Sequence, residues 1–282
     1  MSNVQVQCDN RVRLAGAILA ATVWPEMEQA QEPHAVHYQA KVTRQYMRQF
    51  GQKAAVTRLN QMLQANMPIY KPFAVLTRCS WPQLEPEERL PTNFADGLWL
   101  YETTKLFVEA DLETALWQPH AADWNDATDQ LTAIFENVCL TKFLSRLRGR
   151  PLQREIVIYP NLLYPALRPV VIQTRHYYGL VLPPPKAVGE SPPWSYAEAA
   201  DWVLTTSCQQ LLRHVMVDGL RGKAPAEQAL LLHAASTVFL EETLGSEAAS
   251  GYMRQLKRQC NLSDLAEAVE KLKHRDEPQE IS

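Results

Sequence analysis

The sequence predicts an α+β protein, mostly helical, with a small antiparallel or mixed sheet placed before one distinctive helix. Three observations carry that prediction. Apolar residues recur at helical spacing over most of the first 150 positions, three β-branched or aromatic runs fall between 155 and 182, and helical spacing resumes beyond a proline-rich break.

The helical elements follow in order. Asn10 is a candidate cap for a helix running to about Trp24, with Leu14, Ala15, Ile18 and Leu19 on one face. Tyr38, Val42, Tyr46 and Phe50 recur every four residues as one stripe of a second helix, which Gly51 ends. Val56, Leu59, Met62 and Leu63 mark a third, and the proline- and charge-rich stretch Pro82–Pro91 reads as a surface loop. Helices resume near Phe94 and after Asp111, the last of them a long one that turns Trp124, Leu131, Phe135 and Val138 inward and stops at Gly149.

Glu155–Tyr159, Pro169–Gln173 and Tyr177–Leu182 then read as three short strands, expected to pair in antiparallel fashion. Trp194 opens the distinctive helix. Ser195 and Glu198 have the spacing of a capping box, and the helix is expected to reach about Val217 and close at Gly219. Pro225 suits the first turn of the next helix, Ala226–Leu244, and two more are expected over Ala248–Arg258 and Ser263–Lys273. The expected organisation is a helical part over 1–150, a sheet with the distinctive helix over 151–273 and a frayed tail over 274–282, together forming one unit.

Composition narrows the function classes. The chain has 282 residues, 46% hydrophobic, and a formal net charge of -3. A near-neutral chain gives no electrostatic reason to expect nucleic acid or an anionic membrane as partner. The first residues lack a basic region followed by an apolar core, so no targeting segment is expected. The apolar stretch Leu14–Val23 is too short to span a bilayer. Five dispersed cysteines without a CxxC pair argue against a disulfide framework and a cysteine zinc site, and the expected location is cytoplasmic.

The distinctive helix carries Gln210-Leu211-Leu212-Arg213-His214-Val215-Met216-Val217-Asp218-Gly219-Leu220. Metal-hydrolase chemistry on a helix uses two histidines four apart and a glutamate after the first, which activates the zinc-bound water. The segment resembles the HExxH helix of uncharacterised bacterial families related to gluzincin-type metallopeptidases. It is followed, as there, by a helix with paired glutamates, here Glu241 and Glu242.

The resemblance implies a degenerate site. Gln210 stands where the first histidine would be, Leu211 where the general base would be, and His214 alone remains, with Glu241 or Glu242 in the third-ligand position. An amide is a poor zinc ligand and a hydrocarbon accepts no proton, so no catalytic residue, metal or cofactor is assigned. The resemblance further implies a groove beside the last strand, an edge strand there, lined by Tyr177 and Tyr178. His233 would join His214 across it, or sit as a core histidine bonded to a helix neighbour. A peptide or protein bound in that groove is the expected partner. The alternatives are a helical interaction or structural protein without peptidase ancestry, and an enzyme whose site uses Glu241, His214 or His233 in an unrecognised arrangement.

One further cluster is legible. Lys142, Arg146, Arg148, Arg150 and Arg154 follow one another with no acid between them. Such a run complements the negative end of a helix, here the one closing at Gly149, or meets phosphate or an acidic partner.

Overall fold

A computed structural model describes residues 4–186, 193, 195–259 and 264–274. The fold is α+β and mostly helical, with a mixed four-stranded sheet. It divides into two compact units, one comprising Val4–Ala133 and Arg154–Glu198, the other Ile134–Gln153 and the chain from Ala199 onward. The sheet therefore groups with the N-terminal helices, where the sequence reading joined it to the distinctive helix.

The first unit begins with a strand the sequence did not reveal, β1 (Val4–Val6). It continues through α1 (Asn10–Ala21), α2 (Trp24–Gln31), α3 (Tyr38–Met47), α4 (Ala54–Gln64), α5 (Tyr70–Leu76), α6 (Leu98–Glu109) and α7 (Ala121–Phe135). Helix α1 is buried from Val12 to Ala20 on every side, because α2, α3, α4 and α5 all pack on it. Its cap is Asp9, whose carboxylate accepts the Arg11 amide at 2.8 Å, and the expected cap Asn10 is already helical. It stops at Ala21, short of Trp24. The Thr22 hydroxyl donates to the Leu19 carbonyl and accepts the Trp24 amide, and Pro25 then starts α2.

Inside α1, the Arg13 guanidinium lies between the Trp117 and Trp124 rings, 4.5 and 4.6 Å from their centroids. Burial pushes its pKa down to about 10, so it stays charged at neutral pH. In α3 the core face is Gln39, Ala40, Thr43 and Met47. The stripe read from Tyr38, Val42, Tyr46 and Phe50 lies beside that face, with Tyr38 58% exposed and the Tyr46 hydroxyl donating to the Ala110 carbonyl.

The other strands are β2 (Glu155–Pro160), β3 (Val170–Gln173) and β4 (Tyr177–Leu182), in spatial order β1-β2-β4-β3. Only β3 and β4 pair antiparallel, whereas β1 with β2 and β2 with β4 run parallel. The sheet is therefore the mixed form of the two that the sequence allowed, with antiparallel pairing confined to β3 and β4. Strands β2 and β4 are buried on both faces after their first residue, the burial that parallel strands require and alternating antiparallel strands do not. Between β2 and β3 the buried Glu28 carboxylate of α2 accepts the Ala166 and Leu167 amides at 3.0 and 3.1 Å, fixing the connection.

The second unit holds α8 (Leu140–Arg148), α9 (Ala200–Val215), α10 (Val217–Leu220), α11 (Pro225–Leu244), α12 (Ser246–Gln259) and α13 (Leu265–His274). The long helix expected to end at Gly149 is thus two, α7 and α8. Gly149 does close the second, at φ 72. Helix α11 packs against α9, α12 and α13, and the Phe239 ring meets Phe143 of α8 at 5.0 Å.

The expected opening of the distinctive helix also changes. Trp194 and Ser263 lie outside the described residues, as does the expected tail beyond His274. No capping box forms at Ser195: a 3-10 turn, Ala197–Ala199, precedes α9, whose first turn has no side-chain cap. Tyr196 is the reason. It is 2% exposed, and its hydroxyl donates to the Leu182 carbonyl at 2.6 Å and accepts the Asn161 amide, anchoring the chain at the end of β4. At the other end α9 stops at Val215, and Gly219 lies inside α10.

Gly179 sets a limit on the sheet. A Cβ there would stand 2.8 Å from Tyr159 Cε2 and 3.3 Å from Tyr177 Cε2. Gly179→Ala is therefore expected to lower unfolding stability by about 1–3 kcal/mol through overpacking. Urea denaturation of the two proteins checks this, and an unchanged midpoint would show that the rings move aside freely.

Candidate functional site

Helix α9 buries Val203, Leu204, Thr205, Ser207, Cys208, Leu211, Leu212 and Val215. These positions recur at three- and four-residue intervals and form the face toward its neighbours in the unit. Leu211, which the sequence reading aligned with a general base, is 0% exposed and belongs to that hydrocarbon face. Gln210 is half-buried and His214 exposed. One turn apart on the helix, they meet through the His214 Nδ1, 2.9 Å from the Gln210 carbonyl oxygen.

The glutamates of α11 are committed elsewhere. Glu241 pairs with Lys273 of α13 at 2.7 Å, and Glu242 pairs with Arg146 of α8. Among the described residues no three His, Cys, Asp or Glu side chains form a group that could hold a metal ion. The donor set near α9 does not fit zinc: one exposed imidazole whose Nδ1 faces a backbone carbonyl, and two carboxylates held by cations.

The polar constellation that does form uses a residue the sequence reading passed over. Gln209 of α9 donates from Nε2 to the Tyr252 hydroxyl of α12 at 2.5 Å, and that hydroxyl lies 2.7 Å from His233 Nδ1 of α11. The Gln209 amide is also 3.1 Å from the same ring nitrogen. With the neutral ring protonated on Nε2, the amide donates to the hydroxyl and the hydroxyl to the imidazole. His233 thus bonds across three helices. Thr237, one turn on, binds only its backbone carbonyl, at 2.9 Å. Burial, with Arg213 adding to it, holds the His233 pKa below the usual histidine value.

Tyr177 and Tyr178 belong to the first unit. Strand β4 is an interior strand, bonded on both sides, so the expected pairing of a peptide with this strand as a free edge is corrected; the sheet edges are β1 and β3. The Tyr178 hydroxyl accepts from Arg154, and the Tyr177 hydroxyl lies 3.5 Å from the Thr77 carbonyl.

A hollow of the second unit opens elsewhere around α9. It is a cleft of about 510 Å³ whose floor is Leu147, Leu212, Val215, Met216, Leu220, Leu231, Leu232, Ala235 and Leu272. Arg148, Arg150, Lys223 and Gly219 complete the lining, and no acidic residue among the described side chains contributes. Its size and apolar floor suit a ligand. Of the basic run read from the sequence, Arg146 is paired with Glu242, Arg154 with the Tyr178 hydroxyl, Arg148 and Arg150 line the cleft, and Lys142 is exposed. No helix among the described residues is long and apolar enough to cross a membrane, and Cys8, Cys79, Cys139 and Cys208 are free thiols. Burial pushes the Cys208 thiol up to about 12, which leaves it inert at neutral pH.

The His233 triangle has a pH signature. A histidine whose folded pKa lies below its unfolded value binds fewer protons in the folded state across the interval between the two. Stability is therefore full above the ordinary histidine range and falls on acidification through it. His233→Gln is expected to flatten the dependence of the urea midpoint between about pH 6.5 and 5. An unaltered slope would show that His233 titrates alike in both states.

Compared with family models, with curated proteins and with solved structures, the chain gives no match.

Proposed function

We propose that this chain is a non-catalytic, metallopeptidase-like protein that works by binding a peptide or protein segment. The observation that carries the reading is the fate of the motif positions. Leu211 is sealed in the core, Gln210 and His214 lie on the outer side of α9, and Glu241 and Glu242 are tied to Lys273 and Arg146. No group there is set to take a proton from water or to complete a three-ligand metal site. The apolar cleft alongside supplies a surface for binding without chemistry. A second reading, a helical interaction protein with no peptidase ancestry, draws support from Gln209. That residue, one place from the motif position, makes the contacts that join α9 to α11 and α12.

Metal analysis of the purified protein after dialysis, with a peptidase assay on an unstructured protein substrate, tests the shared core of both readings. No stoichiometric zinc and no cleavage are expected. Retained zinc together with hydrolysis abolished by His214→Ala would overturn them. Leu211→Glu places a carboxylate in the core and is expected to cost on the order of 3 kcal/mol, read by urea denaturation. A variant as stable as the parent would show that this position opens to solvent or to a buried cation.

A further inference from the structure

We infer that the occupant of the α9 cleft is an acidic amphipathic peptide segment, whose apolar side chains fill the floor while its carboxylates meet Arg148 and Arg150; this rests on the binding reading above.

The argument is one of charge complementarity. Several cations of this unit have carboxylate partners: Arg146 has Glu242, Lys273 has Glu241 and Lys223 has Glu227. Arg148 and Arg150 have none among the described residues, and among the described side chains no acid lines the hollow they share. Arg148 lies in the last turn of α8, where it offsets the helix's negative end. Arg150, past the Gly149 cap, is exposed and has no such task.

The floor, drawn from α8, α9, α11 and α13, presents leucine, valine and methionine side chains and no polar group that would orient a small polar ligand. An apolar floor under a cationic rim matches an occupant with the opposite arrangement. A single-headed amphiphile brings one anionic group, which answers one guanidinium. Two unpaired guanidiniums two residues apart call for more than one carboxylate spaced along the occupant. A peptide helix with leucines at intervals of three and four and glutamates beside them supplies both patterns at once.

The test uses the full chain and three fluorescein-labelled 16-residue peptides with the same leucine spacing. Their remaining positions are mainly glutamate, glutamine or lysine, and binding is followed by fluorescence anisotropy. The glutamate peptide is expected to bind most tightly, with affinity falling about tenfold in Arg148→Glu/Arg150→Glu and falling again as salt is raised. Leu231→Gln, in the floor, is expected to weaken the glutamate and glutamine peptides alike. Circular dichroism verifies that both variants fold. Equal affinity for the glutamate and glutamine peptides, or indifference to the charge reversal, would overturn the acidic occupant while leaving peptide binding standing. Binding of none of the three would remove both readings. Dodecanoate bound in a manner sensitive to the same variants, with the peptides unbound, would replace the segment by a small amphiphile.

Discussion

Helix α11 is apolar around most of its circumference, and the second unit is arranged to keep water from it. Leu232 and the run Ala234–Leu240 are all buried, a span long enough that every side of the helix needs cover. Helices α9, α12 and α13 supply it, and Phe143 of α8 closes over Phe239. Each covering helix must give up one whole face to hydrocarbon or small side chains. For α9 that face includes Cys208, Leu211, Leu212 and Val215, so the residue after Gln210 is a core residue first. A carboxylate at that point would have to be paired or neutralised to remain there. Nothing polar on the facing part of α11 is free to do so, since Ser236 and Thr237 spend their hydroxyls on the Leu232 and His233 carbonyls.

The polar groups are consequently displaced to the margins of the packed faces, where they act as ties. Gln209, His233 and Tyr252 form one such tie between three helices. Arg146 with Glu242 and Lys273 with Glu241 form two more, from α8 and α13 to the end of α11. Partly exposed ion pairs of this kind contribute little stability each. Their consequence is chiefly one of availability: a glutamate held by a lysine or an arginine is a weaker candidate for metal or proton traffic, and an arginine left over is a stronger candidate for an outside anion.

Much of this was legible in the sequence where spacing alone decides the answer. The helices around Leu59 and from Pro225, and the three strands from Glu155 to Leu182, appear close to where apolar period and proline placement put them. The misses share a cause: tertiary partners overrode a local signal. The four-residue stripe of α3 is real, but the protein buries the neighbouring stripe, and no property of Tyr38 or Tyr46 announces which side the core lies on. The Ser195–Glu198 spacing is a local cap signal that loses to Tyr196, whose hydroxyl is claimed by Leu182. Strand β1 was too short to show any period, and without it the parallel order of the sheet had no visible start. The continuous burial of Ile156–Tyr159 was the available clue, since an antiparallel strand with one wet face would have alternated.

At the candidate site the sequence shows which residue types stand at 210, 211 and 214 but not which neighbours hold them. In the packed protein positions 210 and 211 have unlike surroundings. The leucine goes inward, where its side chain adds to the seam against α11. The glutamine at 210 stays near the surface, and its neighbour Gln209 becomes the residue that reaches the adjacent helices. Once the core has closed over position 211, a ligand can approach this helix only along faces the seam does not use. Leu212 and Val215, at the border of the buried face, and Met216 beside them reach the cleft that Arg148 and Arg150 also line. Binding at such a face requires apolar surface and unspent charge, and both remain there because the seam consumes hydrocarbon on one side of α9 and the ion pairs consume carboxylates at the end of α11.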